Sequence, residues 1–285
     1  MKKWNLFITT ALVLTMAAGP GCLPEGRAAW GGFALEAFAA EGETIEEQVL
    51  LERDGVRITA LGLGRNGFSG PELKLLIENG SGRNLKVRAC DVSVNRYMND
   101  AKLQVSVNNG ERIYSALVFS REDLERCSVE TLAEIEICFN AYAADDYSDL
   151  FYSEPVVMRT AAAEGFQQKY DESGAVAYDG DGVKIVLKGL DRNEPGIVVG
   201  IENTGEEKIN VTSAGCYVNG VRLYPTFARE VMPGKRSIGC IVLPGYEMKS
   251  KGIQEIREAI VSFYYHKGNE LGKTVETDPV RVPVE

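Results

Sequence analysis

Histidine occurs once in the 285 residues, as His266. That scarcity removes most metal and acid–base arrangements that work near neutral pH, and His266 itself is expected to be an exposed residue at a strand end. No G-x-S-x-G elbow is present. No two cysteines stand in C-x-x-C spacing, so zinc and dithiol redox motifs are unsupported and neither a metal nor a cofactor is expected. Basic residues are also in deficit, with 31 Lys and Arg against 41 Asp and Glu and a net charge of −10. A phosphate backbone is bound by Lys and Arg displacing counterions, so nucleic acid is not an expected partner. The apolar run Leu6 to Ala18 is too short to span a bilayer comfortably.

What the chain does contain is itself, twice. Ile77-Glu78-Asn79-Gly80 returns as Ile201-Glu202-Asn203-Thr204, Val94-Asn95 as Val218-Asn219, and Pro155-Val156 as Pro279-Val280, each pair 124 residues apart (201 minus 77, 279 minus 155). Upstream, Asp54-Gly55-Val56-Arg57-Ile58 answers to Asp181-Gly182-Val183-Lys184-Ile185 at an offset of 127, so one three-residue indel lies between. A period this long marks a duplicated domain rather than a solenoid. Each copy exceeds a hundred residues, enough to bury a core of its own.

Both copies read as strands. Val56-Arg57-Ile58-Thr59-Ala60-Leu61 and Leu85-Lys86-Val87-Arg88-Ala89 alternate apolar and polar residues at period two. Asn79-Gly80, Asn108-Asn109-Gly110, Asn219-Gly220 and Pro233-Gly234 supply the turns between them. The predicted fold is all-β: two tandem immunoglobulin-like β-sandwiches, each with seven or eight short strands and at most one short helix. The helical turns are expected at Arg121 to Cys127 and near Gly252 to Glu258. The copies are assigned to residues 47–160 and 176–285, joined by a linker over 161–175 whose first half suits a helical, semi-rigid joint.

Met1-Lys2-Lys3 ahead of the apolar run predicts an export signal. Gly19-Pro20-Gly21-Cys22 then resembles a bacterial lipobox, in which Cys22 receives diacylglycerol and anchors the chain to the membrane. Gly19 and Pro20 depart from the usual pattern. The alternative is soluble secretion after cleavage at Ala37-Phe38-Ala39. Residues 1–22 are thus read as signal and lipobox, and 23–46, which lack periodicity, as a tether.

Five further cysteines remain: Cys90, Cys127, Cys138, Cys216 and Cys240. Cys216 and Cys240 align with the apolar Val92 and Ala116 of the first copy, so both are expected to face the core. If their strands are neighbours they can bridge, which stabilises by about 3 to 4 kcal/mol. In the first copy Cys127 with Cys138 is the favoured pair, with Cys90 an alternative partner for either.

Several motifs fail on context. Gly62-Leu63-Gly64-Arg65-Asn66-Gly67 matches a dinucleotide fingerprint, but Phe68-Ser69-Gly70-Pro71 follows instead of a helix. Gly268 to Thr274 has one residue too few for a phosphate loop. Asp179-Gly180-Asp181-Gly182 is not an EF-hand, and a calcium site there would need Asp171 and Glu172 as well. The stretch most suited to binding is the loop Asp145, Asp146, Tyr147, Asp149, Phe151 and Tyr152, where aromatic faces meet carboxylates. The matching loop of the second copy, Lys267 to Thr277, has no aromatic residue.

Gly70 to Asn79, then Asp91-Val92-Ser93-Val94-Asn95, then Leu132-Ala133-Glu134-Ile135-Glu136, resemble an uncharacterised β-sandwich repeat of surface lipoproteins from clostridia and related Gram-positive anaerobes. The resemblance covers residues 48 to 285 as two copies and implies a fold and an address, with no catalytic residues to carry over. Arg96 stands where that repeat has Gly, as at Gly220 in the second copy. The expected function is a non-enzymatic, exported, envelope-anchored or secreted binding or spacer protein, with an unknown protein or glycan as ligand. The alternative is an exported carboxylate-dependent hydrolase of glycans or peptides.

Overall fold

Period-two alternation does produce strands, and they close into layered sheets. The computed structural model describes residues 43–66, 70–269 and 271–283. The first copy contains β1 (Gln48–Arg53), β2 (Val56–Asn66), β3 (Gly70–Asn79), β4 (Leu85–Val94), β5 (Tyr97–Met98), β6 (Gln104–Val107) and β7 (Arg112–Val118). Helix α1 (Arg121–Arg126) follows, then β8 (Glu134–Ala143), β9 (Asp149–Tyr152) and β10 (Val156–Arg159). The second copy repeats the order: β11 (Ala175–Gly180), β12 (Val183–Leu190), β13 (Gly196–Asn203), β14 (Ile209–Val218), β15 (Val221–Leu223), β16 (Ala228–Val231) and β17 (Arg236–Val242). It ends with α2 (Gly245–Ser250), β18 (Ala259–Lys267), β19 (Val275–Glu276) and β20 (Val280–Arg281). Every strand and the short α-helix of one copy therefore have their counterparts in the other, in the same order.

One four-stranded sheet, β1-β2-β3-β7, belongs to the first copy, and one sheet, β15-β14-β18-β19 with β16 and β20 at its sides, belongs to the second. The third sheet is shared. Its order is β10-β8-β4-β5-β17-β13-β12-β11, and the copies meet where Tyr97 of β5 pairs in parallel with Arg236 of β17. Each sandwich encloses its own apolar cluster, one around Ile58, Leu75, Val87 and Phe139, the other around Ile185, Val199, Val211 and Phe263.

Duplication extends to individual hydrogen bonds. Asn79 donates from Nδ2 to the carbonyls of Arg83 (2.8 Å) and Val107 (2.9 Å), and Asn203 does the same to Glu207 (2.8 Å) and Val231 (2.9 Å). Asn95 Nδ2 donates to the Thr131 carbonyl and Asn219 Nδ2 to that of Glu255, both at 2.7 Å. The Phe139 N–H donates to the Ser153 hydroxyl, the Phe263 N–H to that of Thr277. These side chains satisfy backbone groups that strand ends leave open, and the buried Asn79 and Asn203 give the repeated Ile-Glu-Asn phrase its structural role in both copies.

Some expectations need correcting. The second helix lies at Gly245–Ser250, not near 252–258, because Gly252, at φ 73°, ends it: Gly252 N–H donates to Lys249 and Ile253 N–H to Met248. The linker opens with a 3-10 turn at Ala161–Ala163 and then packs down, with the Arg236 guanidinium 4.3 Å from the Tyr170 ring centre. The tether does not run to 46. Glu43 is buried, accepting from the Leu132 N–H (2.9 Å) and pairing with Arg65 (2.8 Å), so the chain is docked from that point. The export segment, Cys22, Ala37-Phe38-Ala39 and residues 23–42 lie outside the described residues.

Candidate functional site

The loop singled out from sequence joins β8 to β9 at one end of the first sandwich. Asp146 accepts at Oδ1 from the N–H (2.9 Å) and hydroxyl (2.6 Å) of Ser148, and Arg83 pairs with Asp146 (3.0 Å) and Asp145 (3.4 Å). The Ser148 bonds first, and Arg83 second, hold the Asp146 carboxyl below its ordinary range. These contacts fix the turn and leave Tyr147 in the left-handed region at φ 58°, with its side group 66% exposed. Its ring stacks on Tyr142, centroids 6.1 Å apart and planes at 25°, and the Lys86 ammonium stands 5.1 Å from its centre.

Strand alternation carries the pattern inward along the sheet's outer face. Lys86 opposes Tyr142 and Arg88 opposes Asn140 across β4 and β8. Arg88 Nε donates to Asn140 Oδ1 (2.9 Å), and Asn140 Nδ2 donates to Asp149 (3.1 Å). Tyr152, opposite Asn140, is half-exposed and its hydroxyl donates to Asp91. Burial, then that bond to Asp91, pushes its phenol upward. Beside the turn, Gly82, Arg83, Asn84, Ala144 and Asp145 line a groove of about 420 Å³.

The structure thus unites Asp145, Asp146, Tyr147 and Asp149 at one rim and sets Tyr152 further along the same outer face. Phe151 does not belong with them. It is 3% exposed and part of the first core, because β9 alternates and Phe151 takes the inward position. Lys86, Arg88 and Tyr142 were missed by loop-based reasoning, although the alternation of 85–89 already placed Lys86 and Arg88 outward.

The Cys216–Cys240 bridge is not formed, and all five described cysteines are free thiols. Cys216 lies on β14 and faces the core. Cys240 lies on β17, in the other sheet, next to the core residue Ile241, so it projects outward. Neither is Cys127 paired with Cys138: Cys127 caps α1 and faces the core, whereas Cys138 falls on the outward side of β8 between Ile137 and Phe139. Cys240 lies instead within 4.8 Å of Asp191 and Glu194, a donor set of metal-binding type. Arg126 already supplies the cation there, at 3.3 Å from Asp191 and 3.6 Å from Glu194, and burial pushes the Cys240 thiol up to about 11.

The calcium candidates are likewise committed. Asp181 and Gly182, at φ 53° and 78°, form the β11–β12 hairpin turn. Asp171 pairs with Lys188 (2.9 Å), and Glu172 with Lys184 and Arg236. His266 is half-buried on β18 rather than exposed, opposite Asn210. A second exposed aromatic group lies on the second copy, where Arg222 stands 6.0 Å from the Tyr217 ring and 5.2 Å from that of Tyr224.

No family model matches this chain, and no curated protein matches it. Among solved structures it is similar to the YadV chaperone, at 12% identity and a TM-score of 0.25, over 74% of this chain and 92% of that one. Red sea bream transglutaminase aligns at 11% identity and 0.22, over 75% of this chain and 29% of that one. A protein of unknown function from Porphyromonas gingivalis W83 aligns at 12% and 0.22, over 75% and 90%.

Proposed function

We propose that this chain is an exported, envelope-tethered binding protein that makes and breaks no covalent bonds in its ligand. Its ligand contact is the Tyr147 rim of the first sandwich, and its ligand class is glycan. One observation carries this reading: a tyrosine ring, two-thirds exposed, is held by a bonded turn amid three cations and three carboxylates. A fixed aromatic face takes the C–H face of a sugar at little entropic cost, and flanking donors and acceptors take its hydroxyls. Cys22 is the anchor in this reading, through a thioether-linked lipid, and the segment after it projects the sandwiches from the membrane.

The test is a binding screen of the purified protein against cell-wall and matrix glycans, run beside a hydrolase panel. Tyr147→Ala is expected to abolish binding, and Tyr147→Phe, which keeps the ring, to retain it. Unchanged binding by Tyr147→Ala would remove the rim from the reading. Turnover lost on a single Asp or Glu substitution would replace it with the hydrolase alternative. Intact-mass analysis of protein from its native membrane decides the lipid at Cys22.

A further inference from the structure

We propose that Cys90 and Cys138 are an oxidation site, a dithiol that a small disulfide oxidant closes to a cross-strand disulfide. β4 and β8 run antiparallel with Cys90 registered directly on Cys138. Val87, Ile137 and Phe139 belong to the core, so alternation sends both thiols to the opposite, outward face. The backbone then sets their spacing. Ala89 N–H donates to the Leu103 carbonyl and Phe139 N–H to the Ser153 hydroxyl, each away from the other strand. Cys90 and Cys138, the neighbouring residues, therefore face each other through the ladder. Opposed residues of that type stand about 5.5 Å apart at Cα, and disulfides join Cα atoms roughly 4.4 to 6.8 Å apart. The Cys90 Sγ already lies 3.4 Å from the Cys138 carbonyl.

This pairing is particular to the first copy. There the β-bulge follows Cys90, whereas in the second it falls between Ser213 and Gly215, so that Gly215 opposes Ser262. The remaining described thiols have no such neighbour: Cys127 and Cys216 face separate cores, and Cys240 stands beside Asp191 and Glu194. Cys90 is half-buried and lines a cavity of about 250 Å³ together with Asp91, Asn99 and Arg229, while Cys138 is buried. A small oxidant thus reaches Cys90 first. Deprotonated Cys90 attacks one sulfur of the oxidant R–S–S–R, forming a mixed disulfide and releasing one thiolate, which takes up a proton. Deprotonated Cys138 then attacks the Cys90 sulfur, closing the bridge and releasing the second thiol. The pair gives up two protons and two electrons, and the oxidant gains both.

The full chain carrying Cys22→Ser and Cys127→Ser retains four of its six cysteines, Cys90, Cys138, Cys216 and Cys240. It is incubated natively with hydroxyethyl disulfide, its free thiols are blocked, and it is digested with trypsin. Two thiols are expected to disappear and two to remain. The peptide running from Ala89 to Arg96 should be found joined to the peptide ending at Arg159, and should separate on reduction. Adding Cys138→Ser should trap one mixed disulfide on Cys90; adding Cys90→Ser should leave Cys138 unmodified. A bridge to Cys216 or Cys240 would overturn the proposal. So would a mixed disulfide persisting on Cys90 while Cys138 stays free, or the retention of all four thiols.

Discussion

Removing the amide of Asn203 or of Asn79 tests whether the two copies are held by the same device. Asn203 is 1% exposed and makes three bonds: Nδ2 to the carbonyls of Glu207 and Val231, and Oδ1 from the Gly205 N–H at 3.0 Å. Asn79, 2% exposed, makes the matching three, with its Oδ1 accepting from the Ser81 N–H at 3.0 Å. At about 1 kcal/mol net per bond, and with little water able to replace a side chain so buried, Ala at either position should cost about 3 kcal/mol. The sites lie in separate cores, so the double variant should lose about 6 kcal/mol. Urea unfolding followed by far-ultraviolet circular dichroism measures each loss. Asn203→Asp sharpens the test, since it keeps the shape but aims a carboxylate at two carbonyls. Burial there raises the folded-state pKa above the unfolded value of about 3.9, so the variant should be weakest at neutral pH and recover as pH falls toward that value. A cost below about 1 kcal/mol at either asparagine, or an Asp variant no worse than Ala at neutral pH, would refute the argument.

The other expectations are shorter. Tyr147→Ala should change stability by less than about 0.5 kcal/mol in the same urea assay, because the ring lies on the surface; a larger loss would make it structural. Lys235 of the second copy pairs with Glu136 of the first at 2.7 Å, with side chains only 11% and 18% exposed, so Lys235→Ala should cost about 2 kcal/mol by calorimetry, and Lys235→Met with Glu136→Leu less. Ser173 first and Lys188 next lower the Asp171 carboxyl from 3.8 to about 2. Its stabilisation is therefore present above the unfolded value and is lost as pH falls through about 2. Because that side chain is 58% exposed, solvent screening limits the effect to under about 1 kcal/mol, so Asp171→Asn should lower the acid melting temperature slightly less at pH 2 than at pH 5.

Period and offset made most of the fold legible. Alternation identified the strands, and the 124-residue offset paired Asn79 with Asn203 and Asn95 with Asn219, whose bonds prove equivalent. The same offset carries Arg121–Arg126 onto Gly245–Ser250, so the second helix is within reach of the sequence too; Gly252 is a stop rather than a start, because it takes a positive φ. What pattern alone did not reveal was which sheet each strand joins. Cys216 and Cys240 each align with an apolar residue of the first copy, yet one strand belongs to the second copy's own sheet and the other to the shared sheet. Parity within the strand was decisive for Phe151 as well, since a loop residue by sequence became a core residue once β9 paired with β8.

The two copies also show where folding leaves freedom. Across β4 and β8 the inward pairs Leu85 and Ile209, Val87 and Val211, Ile137 and Val261, Phe139 and Phe263 all stay apolar and are at most 1% exposed. Outward, little matches: Glu134 answers to Glu258, but Lys86 answers to Asn210, Arg88 to Thr212, Cys90 to Ala214, Cys138 to Ser262 and Tyr142 to His266. Core truncations cost several kcal/mol, whereas surface exchanges generally cost under about 0.5, so divergence collects on the outer face. The second copy folds without two thiols, two cations and a stacked tyrosine pair on that face. Their presence in the first copy is therefore not a requirement of the sandwich, and it is the first copy's outer face that carries both the rim proposed to bind ligand and the Cys90–Cys138 pair.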